Sequence, residues 1–347
     1  MIIVMEPWAT EEQIENVVKK LEDNGFKINI NKGDIMTVIA AIGDKRLVQP
    51  QAIGSLEGVR EIKIIQEPFK LASRESQKED TIIELPNGLK IGGNEKAVVM
   101  AGPCSVEDNL DGLLKVAHAA KAAGAQILRG GAFKPRTSPY DFQGLEETGL
   151  QYLAKAREET GLLVITEVMD TLDLPLVVEY ADIIQIGARN MQNFKLLKAV
   201  GKINKPVMIK RGPAATIREF LLAAEHVMYA GNPNVILCER GIKGIDSNYT
   251  RNTLDIAAVP IIKKYSHLPI IVDPSHGTGR RYLIEPMSKA ALVAGAHGLM
   301  VEVHHDPDKA YSDGAQSLTI EQFQKMMVEI NRIIGRIDWS NKNGAHS

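Results

Sequence analysis

The chain is 347 residues long, 44% hydrophobic and 24% charged, with 41 Lys and Arg against 43 Asp and Glu and a formal net charge of -2. That length allows one large or two moderate domains, and near-neutrality gives no general pull toward nucleic acid or acidic membranes, so any basic cluster must be a local site. Two cysteines cannot build a disulfide framework, no apolar run approaches a membrane span, and the amino terminus MIIVMEPW lacks the basic lead and long apolar core of a signal peptide, so a cytoplasmic protein with reduced thiols is expected.

The first element is a strand, Ile2 to Met5. Thr10, with Gln13 three residues on, is a capping-box start for a helix whose Ile14, Val17, Val18 and Leu21 recur at helical spacing until Gly25 ends it. Strands follow at Phe26 to Ile30 and Ile35 to Ile42 around a Lys32-Gly33-Asp34 turn. A second helix is expected at Val48 to Leu56 and a last strand at Val59 to Ile65. The order βαββαβ is the ferredoxin-like pattern, and it contains no clustered His, Cys or acid set. Residues 1–70 therefore read as a small regulatory or oligomerisation domain, or as a structural appendage. Glu67 to Asp80 is charged and reads as a polar linker, and Thr81 to Leu85, Pro86-Asn87-Gly88 and Leu89 to Gly92 read as a hairpin, so residues 71–96 join the two domains.

From Ala97 the pattern becomes short apolar strands alternating with longer amphipathic segments. The strands are Val98–Gly102, Gln126–Gly131, Leu163–Val168, Ile183–Gly187, Val207–Gly212, Val235–Gly241, Ile270–Asp273 and Gly298–Val303. Eight such units predict a (β/α)8 TIM barrel over residues 97–338, with residues 339–347 a polar tail. A doubly wound sheet is the competitor. Against it, no G-x-G-x-x-G follows the first strand and no Walker loop occurs.

A barrel should collect its chemistry where its strands end. The stretch Ile127 to Tyr140 ends the second strand and sets Arg129, Lys134, Arg136 and Thr137 among Gly130, Gly131, Pro135 and Pro139, which reads as a stiff, preformed anion site. Later strands end at Glu167, Arg189-Asn190, Lys210-Arg211, Glu239-Arg240, Asp273 with His276, and Glu302 with His304, followed by Asp313. Arg129, Lys134, Arg136, Arg189, Lys210 and Arg240 outnumber the acids near them, so a ligand with several phosphate or carboxylate groups is the economical partner. Cys104, His276, Glu302 and Asp313 form a second set, one thiol, one imidazole and two carboxylates, suited to a divalent transition metal rather than Mg2+. A Ser-His-Asp hydrolase is the rival for His276, without a G-x-S-x-G elbow to support it.

Several of these segments are long and specific: Ala101 to Ser105 (AGPCS), Leu128 to Tyr140 (LRGGAFKPRTSPY), Ile186 to Asn190, Lys210 to Gly212, Cys238 to Gly241, Asp273 to His276, Val301 to His304 and Ser312 to Gly314. They closely resemble 3-deoxy-D-arabino-heptulosonate 7-phosphate (DAHP) synthase of the type I beta kind, over Ala97 to about Gly335, and the leading segment resembles the ferredoxin-like regulatory domain found in front of some members. The resemblance implies condensation of phosphoenolpyruvate with erythrose 4-phosphate and water, the opening step of the shikimate pathway. By position, Arg129, Lys134, Arg189, Lys210 and Arg240 would hold phosphoenolpyruvate, and Arg136, Thr137 and Asp273 the sugar phosphate, Asp273 alternatively orienting His276. Cys104, His276, Glu302 and Asp313 match the family's metal ligands, for Mn2+ first and Co2+, Fe2+, Zn2+ or Cd2+ as alternatives, with Lys134, Cys104 and His276 as the catalytic trio. A tyrosine or phenylalanine effector and a homotetramer are further implications, and neither nucleic acid nor membrane is an expected partner.

The alternatives are 3-deoxy-D-manno-octulosonate 8-phosphate synthase, whose matching loop carries Asn where Pro135-Arg136 stands here, and a non-catalytic effector-binding barrel, against which both residue sets are whole. His305 stands where members often carry Pro and reads as a solvent-facing loop residue, with a surplus ligand as the alternative, and Pro213-Ala214 replaces bulkier apolar residues. Cys238 reads as core.

Overall fold

Strand β1 (Ile2–Met5) is buried at all four positions, so both of its faces must be covered. Helix α1 (Glu11–Asp23) starts at the Thr10–Gln13 capping box: Thr10 Oγ1 accepts from the Gln13 amide at 3.3 Å and Gln13 Oε1 from the Thr10 amide at 2.9 Å. It lays Ile14, Val17 and Leu21 against Met1, Ile3, Met5 and Ile39. On the other sheet face Ile2 and Val4 pack with Met36 and Val38. Strands β2 (Lys27–Lys32), β3 (Thr37–Ile42) and β4 (Val59–Lys63) complete an antiparallel sheet of order β2-β3-β1-β4. Helix α2 (Pro50–Gly54) is shorter than the predicted Val48 to Leu56. Pro50, which has no amide hydrogen to give, fits only its first turn, and Gly54 weakens the last.

The structure is a computed structural model describing residues 1–33, 36–43, 48–63, 68–135, 138–246 and 248–339. It divides into two units, Met1–Glu79 with Lys264–His267, and Asp80–Lys263 with Leu268–Ser347. The predicted polar linker is not solvated along its length, because Phe69, Leu71 and Ala72 are buried and Ser76 Oγ donates to the Lys70 carbonyl at 2.6 Å. Its charge density hid that short apolar run.

In the second unit, β5 (Ile83–Glu84) and β6 (Lys90–Ile91) form the hairpin, two residues each rather than the four or five expected. Among the described residues, eight parallel strands then close on themselves: β7 (Val98–Gly102), β8 (Ile127–Arg129), β9 (Leu163–Val168), β10 (Ile183–Ile186), β11 (Val207–Lys210), β12 (Val235–Glu239), β13 (Ile270–Val272) and β14 (Gly298–Glu302). The seam is the pairing of β14 with β7, Gly298 opposite Val98 through Glu302 opposite Gly102. Closure rules out the doubly wound sheet.

Outside the strands run α3 (Leu110–Ala122), α4 (Glu146–Thr160), α5 (Leu174–Tyr180), α6 (Phe194–Val200), α7 (Ile217–Ala230), α8 (Ala258–Tyr265), the short α9 (Pro274–Thr278), α10 (Arg281–Val293) and α11 (Ile320–Arg336). Inside, Met100, Ile165, Met208, Ile236, Cys238 and Met300 share one apolar cluster with Ile83, Leu85 and Ile91 of the hairpin. The hairpin thus plugs the end at which the strands begin. That leaves the opposite, polar end for ligands.

Candidate active site

Each strand hands one or two side chains to that polar end, and the loops aim them inward. Cys104 follows β7 directly. Lys134, after β8, donates from Nζ to the Cys104 carbonyl and to its sulfur, both at 3.1 Å. The approach is that close because the intervening residue is glycine: a Cβ on Gly131 would stand 2.8 Å from the Cys104 carbonyl and 2.9 Å from Lys134 Cδ.

His276 sits in α9, whose N-cap Asp273 accepts from the His276 amide at 2.9 Å and from Nδ1 at 2.8 Å. Nε2 is thereby turned toward Glu302 Oε1 at 3.3 Å and Asp313 Oδ2 at 3.8 Å. Asp313 also accepts from the Cys104 thiol at 3.3 Å. One donor atom from each of Cys104, His276, Glu302 and Asp313 lies within 4.8 Å of the others.

This donor set fits a divalent transition metal. It mixes sulfur, imidazole nitrogen and carboxylate oxygen, and the imidazole is backed by a buried carboxylate that fixes which nitrogen faces the ion. The electrostatics agree. Burial, and then the charge of Glu302, push the Cys104 thiol up to about 11, so a buried thiolate there needs a cation beside it. Burial would raise the Asp313 carboxyl, but His276 and Arg251 outweigh it and hold the group at about 2. Asp313 adopts a left-handed backbone, φ 54°, a conformation that Asp tolerates better than most side chains.

The cation set lines a cavity of about 250 Å3, with Arg129, Lys134, Arg189, Lys210 and Arg240 on its walls. Arg129 Nη1 donates to Glu302 Oε1 at 2.8 Å and to the Pro103 carbonyl at 2.9 Å. Burial works against its charge, but Glu302 keeps it above the usual guanidinium range. The Nε atoms of Arg129 and Arg240 are buried without a hydrogen-bond partner among the described residues. Buried donors left unmatched beside a cavity mark an absent acceptor, and phosphate or carboxylate oxygens answer that.

The DAHP synthetase I family matches residues 78–336, and the DAHP synthase ferredoxin-like domain matches residues 1–67. The chain belongs to the DAHP synthetase I family. It is 53% identical to the phospho-2-dehydro-3-deoxyheptonate aldolase of Thermotoga maritima, over 96% of this chain and 97% of that one. The crystal structure of that organism's aldolase (DAHP synthase) superposes with a TM-score of 0.77 at 51% identity, covering 97% of this chain and 98% of that one. More distantly, the 2-dehydro-3-deoxyphosphooctonate aldolase of Syntrophobacter fumaroxidans is 32% identical over 70% of this chain and 90% of that one.

Placed in that family frame, the remaining expected residues divide. Asp273 is fully buried, off the cavity lining, with its oxygens on His276 and, through a short contact, on Lys210 Nζ, a placement that orients His276. Arg136 and Thr137 lie outside the described residues. Arg211 and Glu239 pair with each other at 2.8 Å, and Arg211 also reaches Asp255 at 2.9 Å, an ion-pair network off the cavity. His305 is partly exposed and stacks on His304 with centroids 4.4 Å apart. His304 turns away from the donor cluster and meets Glu107 at 3.3 Å. Cys238 is core.

Sequence reasoning gave no role to four cavity neighbours. Gln185 donates to Glu167 at 3.0 Å on one wall. Asn252 donates to the His276 carbonyl at 2.9 Å. Arg251 and Gln316 reach the carboxylates, Arg251 Nη1 meeting Asp313 Oδ1 at 3.0 Å and Gln316 Nε2 meeting Glu302 Oε2 at 2.6 Å. The only signal for Gln316 was its nearness in sequence to Asp313, and for Arg251 its loop after β12.

Proposed function

We propose that the cavity at the barrel mouth holds phosphoenolpyruvate and erythrose 4-phosphate beside one divalent metal ion, with Lys134 as proton donor. The chain is a DAHP synthase: it joins these two substrates and water to give 3-deoxy-D-arabino-heptulosonate 7-phosphate and phosphate, the first step of the shikimate pathway. The observation that carries the site reading is the convergence on one 250 Å3 cavity of six cations, Arg251 among them, and of His276 and Asp313 from the four-donor cluster.

Phosphoenolpyruvate brings a phosphate and a carboxylate, and Arg129, Arg189, Lys210 and Arg240 can neutralise both while holding the enol face toward the aldehyde. Arg136 and Thr137 take the sugar phosphate, by the family pattern. Phosphoenolpyruvate is a weak carbon nucleophile, so its partner must be polarised. When bound by Cys104, His276, Glu302 and Asp313, a divalent ion supplies a Lewis acid for that aldehyde, with Mn2+ the first expectation and Co2+, Fe2+, Zn2+ and Cd2+ the alternatives. Lys134, held against Cys104, gives its proton to the aldehyde oxygen as the carbon–carbon bond forms. The enol-ether carbon is left with positive character, water captures it, and C–O cleavage of the phosphohemiketal expels phosphate. Fixed cations hold two reactants that would repel each other in water.

The leading unit is read as the regulatory domain. It carries a cavity of about 380 Å3 with Ile2, Val4, Met36 and Val38 as an apolar floor and Arg60, Lys63 and Glu75 as charged neighbours, a chemistry that suits tyrosine or phenylalanine. A homotetramer and a cytoplasmic location belong to the same reading. No helix among the described residues is long and apolar enough to cross a membrane.

One assay tests the site reading. Loss of phosphoenolpyruvate is followed with erythrose 4-phosphate or arabinose 5-phosphate, before and after chelation and after Mn2+ is returned. The expected result is turnover with the four-carbon sugar that chelation abolishes and Mn2+ restores. Preference for arabinose 5-phosphate overturns the substrate assignment, and undiminished turnover after exhaustive chelation overturns the metal.

A further inference from the structure

Each carboxylate of the donor cluster uses one oxygen inward and has the other held from behind. Glu302 Oε1 faces His276 Nε2 at 3.3 Å, and Asp313 Oδ2 faces the Cys104 thiol at 3.3 Å. The outward oxygens are linked through one buried amide, Glu302 directly and Asp313 by way of Arg251. Gln316, 2% exposed, donates from Nε2 to Glu302 Oε2 at 2.6 Å, and its Oε1 accepts at 2.8 Å from the same Arg251 Nη1 that meets Asp313 Oδ1 at 3.0 Å.

We infer that Gln316 is a positioning residue for the metal centre: its side-chain amide fixes Glu302 and, through Arg251, Asp313, so that each presents a single oxygen to the ion. The inference rests on the metal reading and deepens it. An amide is what this position requires. It must donate at one end and accept at the other, which neither a carboxylate nor an apolar chain of the same length can do. It also carries no charge, so it holds two acids in place without adding to the positive charge that Arg129, Lys134 and Arg251 already bring to the cluster. Replacing it with a neutral residue therefore changes geometry at constant charge.

The turn around it is built for rigidity. The Gln316 amide donates to the Asp313 carbonyl at 3.1 Å, and Arg281 donates to the Gly314 carbonyl at 3.0 Å. Outer hydrogen bonds of this kind typically set metal affinity by about 10–100-fold.

The test uses the full chain, stripped of metal and titrated with Co2+ alone, with the dissociation constant measured by chelator competition and the absorption spectrum recorded. Gln316→Met keeps the volume and removes both hydrogen bonds, whereas Gln316→Asn keeps the amide but is one methylene too short to span both partners. Both variants are expected to keep a thiolate-to-cobalt band, since Cys104 is untouched, while binding Co2+ about 10–100-fold more weakly with altered d–d bands. A merely structural role would lower the melting temperature and leave the cobalt spectrum and affinity alone. Constants within twofold of the parent in whichever variant folds overturn the inference. A parent chain that shows no thiolate-to-cobalt band instead overturns the metal reading itself.

Discussion

Lys134 is the residue on which the two halves of the site meet. Its ammonium lies between the donor cluster and the anion cavity, 3.1 Å from Cys104 Sγ and on the cavity wall. Lys134→Met keeps the aliphatic stem and removes the proton donor, so kcat/KM should fall by about 10²–10⁴-fold. The metal content of the variant, read by elemental analysis, should stay at the parent's level, because Lys134 donates no ligand. Loss of the metal together with activity would mean that Lys134 acts on the centre rather than on the substrate. Such a residue was legible from sequence because it sits in a loop whose glycines and prolines have no other use. Gln316 and Arg251 were not: their meaning comes from partners 14 and 62 positions away, at Glu302 and Asp313, and no local pattern encodes that.

Elements show the same division. The barrel strands could be read because a parallel strand buried on both faces is a plain apolar run, and all five positions of β7 and of β14 are buried. The expected strand ends lie one or two residues beyond the observed ones, at Gly131 and Gly187 for example, since small residues continue past the last paired position. Helix α2 lost its expected ends to Pro50 and Gly54, where local chemistry overrode spacing.

The hairpin β5–β6 makes the clearest energetic claim at this scale. Leu85 and Ile91 are 2% and 0% exposed and belong to the barrel's interior cluster. Ile91→Ala should cost about 2–5 kcal/mol. For a unit of this size that corresponds to a melting temperature lower by roughly 5 °C or more. KM for both substrates should stay within twofold, because the plug and the site lie at opposite ends of the strands. A raised KM without loss of stability would contradict that placement.

At the scale of the whole molecule, the candidate catalytic residues and the leading ferredoxin-like unit occupy separate stretches of chain. The barrel closes through β14 and β7 and includes no strand of the leading sheet, while every residue of the cation set and the donor cluster lies beyond Asp80. A chain begun at Asp80 should therefore stay folded and keep condensing phosphoenolpyruvate with erythrose 4-phosphate. If the apolar-floored cavity of the leading unit binds the effector, tyrosine or phenylalanine should slow the full chain and have no effect on the shortened one. The comparison is made as initial rates across an effector titration for both chains, with circular dichroism confirming that the shortened chain is folded. Equal inhibition of both would put the effector in the barrel, and a full chain indifferent to both amino acids would leave the leading unit a structural role alone. Val38→Asp separates these further: it places a charge on the floor of that cavity within the leading unit, so it should abolish the inhibition while sparing the uninhibited rate.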